Sequence, residues 1–411
     1  MRNNDIKIIK DNLDIIINYM DENKELFVKN PETDFVRNRK CNFKDMLRIV
    51  LSMQGESIDR ELYDYFAGDF ESIYNASSFN QQREKIKEGT FEFLFDMFNI
   101  AMKGKKTYKG YRLLAVDGSE IDFSANSNNN IEGKNLEENE SNLFNLNVTY
   151  DLLNKTYTNA ILQSKGEINE RRALVNLLEE TNHTEKTLYI CDRGYPSWNV
   201  FTHFKYTENA DFLIRYPNNG SGLTANLPNK TLDFVQDVVL STREKRYSVR
   251  DRFLKFYYAY ISTTTAWDFG RYEELKIRII KFEFSPGEYE TILTSLPQDK
   301  FPLSEIKKLY KMRWGVETSF RDLKSQMGLT QLSSKRKDFV KQEIFARLIM
   351  YNFSRKIINV VEEQKSRKKK VIYRTNFNMG YRICRDYFLN RLPDDLIYDW
   401  ILKYSTSTKE Q

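Results

Sequence analysis

The stretch KTLYICDRGY, Lys186–Tyr195, carries a short apolar run that stops at an acid, Asp192, with a glycine two residues on. A brief apolar run bounded by turn-forming residues is the mark of a buried strand. A helical segment at about 197–206 and another strand, DFLIRYP (211–217), follow it. Upstream, YRLLAVDGSEIDF (111–123) repeats the pattern, with an apolar run that stops at Asp117-Gly118. NLFNLNVTYDLL (142–153) and YTNAILQ (157–163) read as strands about the turn-like NKT, and NERRALVNLLEE (169–180) reads as a helix. Strands alternating with helices predict an α/β domain. Ligands of α/β sheets bind at the carboxyl ends of strands, which singles out Asp117 and Asp192. The polar, Asn-rich residues 126–142 are predicted to form a loop.

Before this domain, DNLDIIINYM (11–20), FKDMLRIVLSM (43–53) and FEFLFDMFNIAM (91–102) have helical apolar spacing. Between them SIDRELYDYFAG and SSFNQQREKI each open with a serine suited to capping, and predict two short helices joined by a tight connection. The second presents Gln81, Gln82, Arg83 and Lys85, types that reach bases or phosphates, although a solvated helix face is the plainer account. After the domain, residues 218–296 hold LDFVQDVVL, KRYSVR, FLKFYYAYIS, ELKIRIIKFEF and EYETILTSL without a helical period, and predict a β-strand-rich insertion. EIFARLIMYNFSRKIINVVEEQ (343–364) predicts a helix, and KSRKKK (365–370) is a basic cluster suited to phosphate contact or to plain solvation.

The chain has 411 residues, enough for two or three domains. Its 64 Lys+Arg against 58 Asp+Glu leave a formal +6, so the placement of charge matters more than its sum. Cys41, Cys191 and Cys384 are far apart and offer neither zinc spacing nor a disulfide framework, which predicts a reducing cytoplasm. His183 and His203 are the only histidines, which excludes a His-rich zinc centre. No run of about 18 apolar residues is present, so no membrane partner is expected.

A helix is predicted from Pro302 and Ser304 to Gly328. At about 100° per residue, Leu309, Met312, Val316, Phe320, Leu323 and Met327 share one arc of roughly 80°. Tyr310, Arg313, Glu317 and Lys324 fall in an adjoining arc of roughly 60°. Charge therefore lines one edge of the buried stripe, where a cleft would meet the helix. An i,i+4 surface pair of Arg313 with Glu317 is the competing account.

Tyr, two residues, Arg, three, Glu, six, Lys is the spacing of Tyr310, Arg313, Glu317 and Lys324, with Trp314 after the arginine. Together with VDGS at Asp117 and DRGY at Asp192, it makes the chain resemble the IS4-type insertion-sequence transposases over residues from about 40 to 355. The resemblance implies a ribonuclease H-like catalytic core with Asp117, Asp192 and Glu317 as a DDE triad. It implies Mg²⁺ held by those three carboxylates, with Mn²⁺ substituting and Asp117 bridging two ions. Tyr310, Arg313 and Lys324 would bind the phosphate and 5′ end of the processed strand. Gln81, Gln82 and Arg83 would lie in the N-terminal DNA-contacting segment, and Tyr289, or else Trp267, would stack on a flipped base.

The implied organisation is a helical DNA-binding region (1–105), the first part of the core (106–217), the β insertion (218–296), the third-carboxylate part (297–355) and a helical, basic C-terminal region (356–411). Its implied partners are double-stranded DNA, as terminal inverted repeats and target, and a second copy in the DNA complex. Cut-and-paste transposition through a hairpin, in a bacterial cytoplasm at the nucleoid, is the implied activity. A catalytically inactive DNA-binding descendant and a metal-dependent nuclease of the same fold are the alternatives.

Overall fold

A computed structural model describes residues 3–36, 41–69, 71–123, 143–217, 222–225, 227–243, 256–262, 266–369 and 371–408. The expected loop at 126–142 and the expected strand KRYSVR lie outside the described residues.

The N-terminal helices are α1 (Asn4–Glu22), α2 (Phe43–Ser52), α3 (Ile58–Tyr65), α4 (Ala76–Arg83) and α5 (Thr90–Ala101). Asn42 and Ser57 cap α2 and α3 by accepting the backbone N–H of Asp45 and Arg60. The cap of α4 is Asn75, which accepts from Ser78, rather than the serine at the head of SSFNQQREKI. Residues 66–75 separate α3 from α4, so the tight connection expected between them is not formed.

The sheet comprises β1 (Arg112–Asp122), β2 (Leu143–Asp151), β3 (Thr156–Ser164), β4 (Thr187–Cys191), β5 (Ala210–Tyr216), β6 (Leu232–Ser241), β7 (Phe256–Tyr260), β8 (Tyr272–Ser285) and β9 (Glu288–Thr294). Among the described residues these strands run in the order β3-β2-β1-β4-β5-β9-β8-β6-β7. β1, β4 and β5 are parallel, linked by α6 (Glu170–Glu180) and α7 (Trp198–Tyr206). β2 and β3 add antiparallel on one side. On the other side β9 pairs antiparallel with β5, Leu213 opposite Thr294. The β-rich region is therefore an extension of the core sheet. β1 also runs past Asp117 to Asp122, because β2 continues to pair with it.

The chain ends in α8 (Leu303–Met312), α9 (Trp314–Gln326), α10 (Lys337–Lys369), β10 (Ile372–Thr375), α11 (Phe377–Phe388), α12 (Ile397–Lys403) and β11 (Ser405–Thr408). The single helix expected from 302 to 328 is two, jointed at Arg313. There the Arg313 N–H bonds to Tyr310 O (3.0 Å) and Val316 N–H to Arg313 O (3.0 Å), a tighter i,i+3 pattern. Gly328 ends α9 at φ +67°, where a side chain would also strike Gln54 O at 2.3 Å. α10 is longer than expected and takes most of the basic cluster into its last turns, where cations suit the carbonyl end of a helix. It runs unbroken across the expected boundary at 355/356. No helix among the described residues is long and apolar enough to cross a membrane.

Two cores flank the sheet. The larger joins Ile9, Leu47 and Phe91 of the N-terminal helices to Leu113 and Leu146 of the sheet and to Ile344, Tyr381 and Ile397 of the C-terminal helices. The N-terminal helices thus share their core with both later parts of the chain. The smaller core packs α6 and α7 on the other face.

Arg83 belongs to the larger core and corrects its reading as a DNA contact. It is fully buried, pairs with Glu343 (3.0 Å), and donates to Gln342 Oε1 and Phe339 O (each 2.8 Å). Phe79 and Arg83, one helical turn apart, are the buried face of α4. Removing one partner of such a pair leaves an uncompensated charge. Arg83→Ala is expected to lower stability by about 3–5 kcal/mol, read as a fall in the urea midpoint.

Candidate active site

Strand alternation decides which face each acid meets. In β1, Leu113 and Ala115 face the helical core, whereas Leu114 and Val116 face α6 and α7. Asp117 continues the Leu113–Ala115 series. In β4, Leu188 and Ile190 face the helical core and Tyr189 and Cys191 the opposite one. Asp192 is next in line for the helical side. The parallel ladder sets Val116 against Cys191, so the two half-buried aspartates are neighbours one step further on.

α9 packs across β1. Gly315 permits the approach: a side chain there would meet Leu152 Cδ2 at 2.9 Å. Val316, Phe320 and Leu323 anchor the helix, while Glu317 stays 46% exposed. The Arg313 joint is buried, its guanidinium 2.6 Å from Glu317 Oε1 and 5.8 Å from the centre of the Tyr310 ring. Arg313 Nε and Tyr310 Oη are buried and have no hydrogen-bond partner.

The electrostatics tie these groups together. Burial pushes the Asp117 carboxyl up to about 6; Arg313 opposes the shift, and the charges of Glu317 and Asp192 add to it. Burial lowers the affinity of Arg313 for its proton, but Tyr310, Asp192 and Glu317 more than offset that, leaving its pKa raised. Burial raises Tyr310 to about 12. Asp117, Asp192, Glu317, Arg313 and Tyr310 thus form one mutually interacting group. Among the described residues no three His, Cys, Asp or Glu side chains are gathered closely enough to hold an ion. The anticipated i,i+4 pair is present, and it takes up the Glu317 carboxylate.

The sequence profile of the transposase DDE domain matches residues 108–353, a span that includes all three acids. The chain belongs to the transposase DDE domain family. A stretch of 75 residues is 38% identical to the putative transposase InsL of insertion sequence element IS186A from Escherichia coli K12, and equally to the transposase of IS421 from Escherichia coli. That stretch is 18% of this chain, and the match spans only about one fifth of each relative (20%). A piggyBac transposase synaptic complex with hairpin DNA overlays with a TM-score of 0.47 at 10% identity, covering 96% of this chain and 82% of that one.

Other residues singled out in this DDE-family chain are less uniformly placed. Lys324 is half-buried near the end of α9 and makes no ion pair among the described residues. Gln81 is exposed; Gln82 accepts from Lys85 Nζ (3.1 Å). Tyr289 sits 5.5 Å from Lys281 Nζ, while its neighbour Glu290 pairs with Arg215 (3.0 Å). Arg215 and Tyr310 interact electrostatically, so Glu290, not Tyr289, points toward the acid group. Trp267 donates to Gly270 O (2.8 Å) and lines a cleft with Trp198 and Arg172. Sequence reasoning noted Trp314 only as a companion of Arg313, yet it stands 66% exposed next to that buried arginine. Arg215, inside a run read simply as a strand, was missed because alternation alone cannot reveal what lies opposite.

Asp117 carries a test. An acid whose folded pKa is about 6, above its ordinary value of 3.8, destabilises the fold once ionised. Stability is therefore favoured below about pH 4 and declines as pH rises to about 6. In metal-free buffer at pH 7, Asp117→Asn is expected to exceed the parent by about 1–3 kcal/mol, with the gap closing below about pH 4. Urea unfolding at a series of pH values reads this; a gap independent of pH would refute the assignment.

Proposed function

We propose that this chain is a DNA transposase that cuts transposon ends and joins them to target DNA by metal-assisted phosphoryl transfer. The observation that carries the reading is the interacting group of Asp117, Asp192 and Glu317 with the buried Arg313 beside them. A ribonuclease H-like core is supported by parallel β1, β4 and β5 continuing into antiparallel β2 and β3.

The donor set fits magnesium. It consists of three carboxylates with neither imidazole nor thiolate, and hard oxygen ligands suit Mg²⁺ or Mn²⁺. Asp117 is already pushed up by burial and by its acidic neighbours, a clustering of negative charge that a divalent cation relieves. Asp117, Asp192 and Glu317 would hold the ions, whose bound charge polarises the scissile phosphate and steadies the attacking and leaving oxygens.

The chain's own side chains orient the strand. Arg313 Nε and Tyr310 Oη are donors without partners, suited to a phosphate oxygen. A phosphate engaging Arg313 competes with Glu317 for the guanidinium and so frees that carboxylate to act as a ligand. Lys324 extends the same helix toward the strand's 5′ end. Trp314, exposed beside Arg313, offers a stacking surface worth roughly 1–3 kcal/mol per base. Gln81 is the exposed candidate for contact by the N-terminal helices. Terminal inverted repeats, a hairpin intermediate and a dimer in the DNA complex complete this reading.

Glu317→Gln retains shape and hydrogen-bonding capacity but removes the ligand charge. It is expected to bind a labelled transposon end at least as tightly as the parent, since phosphate contacts supply most affinity, and to lose cleavage in Mg²⁺. A gel shift and a cleavage reaction on the same labelled DNA measure both. Parent-like cutting would remove Glu317 from the ligand set.

A further inference from the structure

The reverse face of the same strands carries a second polar cluster. Strand alternation turns Gly118 away from the side that Asp117 faces. A side chain at Gly118 would meet Asn147 Oδ1 at 3.0 Å, and Asn145 Oδ1 and Glu170 Oε1 each at 3.1 Å. Three oxygens therefore ring the space left by the missing side chain. At Gly194 a side chain would meet the other oxygen of the same carboxylate, Glu170 Oε2, at 2.9 Å. Glu170, the first residue of α6, stands between the segment following Asp117 and the segment following Asp192.

These oxygens lack positive partners. Asn145 and Asn147 are 4% and 0% exposed, and neither Oδ1 is hydrogen-bonded. No hydrogen bond or ion pair reaches the Glu170 carboxylate among the described residues. Tyr195, 2% exposed and in electrostatic contact with Glu170, has an unpartnered hydroxyl. The Asn147 amide is fixed by a chain of contacts. Its Nδ2 donates to Gln163 Oε1 (3.1 Å), which also accepts from Asn169 N (3.1 Å), while Gln163 Nε2 donates to Asn169 O (3.3 Å). Turning the Asn147 amide would set oxygen against oxygen, so its Oδ1 must face the space beside Gly118.

Acceptors converging beside buried Asn145 and Asn147, one of them the half-buried and charged Glu170, call for a positive partner. Amide and carboxylate oxygens are hard donors, suited to hard cations. One carboxylate balances one positive charge.

We propose that Asn145, Asn147, Glu170 and Tyr195 hold a monovalent alkali cation, potassium or sodium, beside Gly118. The ion would tie the strand of Asp117 to the loop of Asp192 from behind. This site lies on the face opposite the proposed Mg²⁺ ligands and stands whether or not the chain cuts DNA.

Thermal unfolding of the full chain tests it, without DNA or divalent metal, in potassium, sodium or tetramethylammonium chloride at equal ionic strength. A ligand that binds only the folded state raises Tm by mass action. The expected result is a Tm higher by about 2 °C or more in an alkali salt, saturating with concentration. The increment should vanish in Glu170→Gln and in Gly118→Ala, whose methyl enters the ring. Equal Tm in all three salts overturns the proposal, in favour of water, and so does an increment undiminished in Glu170→Gln. Should a variant fail to fold, the comparison of salts on the parent decides by itself.

Discussion

Val116 lies opposite Cys191 in the parallel ladder, and the position of both aspartates depends on that register. A slip of one residue would carry Asp117 to the α6 side, away from α9. Over the paired stretches Leu113–Val116 and Leu188–Cys191, β1 and β4 are apolar on both faces and hold no polarity signal that could fix their pairing. The signal lies in β2, where Phe144, Leu146, Val148 and Tyr150 alternate with Asn145, Asn147, Thr149 and Asp151. The first set enters the helical core; the second meets the α6 side. Because Asp117 pairs with Val148 and Gly118 with Asn147, the pattern of β2 sets which side of β1 receives the acid.

The same alternation explains what the sequence made legible. Apolar runs and caps located most strands and helices to within a few residues, because burial and backbone hydrogen bonding are local in their demands. The errors lie where a neighbour overrides the local signal. β1 runs beyond Asp117 because β2 offers it partners. The helix breaks at Arg313 although its apolar stripe is continuous, and the break folds that guanidinium inward beside Tyr310. Arg83 looks like a DNA contact in a polar string, but its partner Glu343 lies far along the chain on another helix. The three acids were singled out by a motif whose spacing carries family information. Their facing sides follow from alternation and the pairing of Arg313 with Glu317 from its i,i+4 spacing, whereas the burial of that arginine is an outcome of packing.

Buried arginines elsewhere show how unusual the acid group is. Arg278 uses three nitrogens, bonding both oxygens of Asp233 and the carbonyls of Leu296 and Phe301. Arg83 does likewise with Glu343, Gln342 and Phe339. Arg313 has Glu317 but leaves Nε unused, beside the equally unused hydroxyl of Tyr310. Each buried donor without a partner costs about 1–3 kcal/mol, a cost that a fold retains more readily where a ligand later removes it.

Unused donors alone do not make a site. Arg347, in the middle of α10, has three unpartnered nitrogens and is fully enclosed. The difference is access. At Arg347 no atom is exposed, so nothing as large as a nucleic-acid strand reaches it. Around Arg313 the exposed Glu317 and Trp314 open the group to solvent, and the acids that repel one another stand on the same side. Unsatisfied donors, mutually repelling carboxylates and an open approach meet beside this helix joint. An anion delivered together with divalent cations satisfies both sets at once: phosphate takes the donors, and the metal takes the acids.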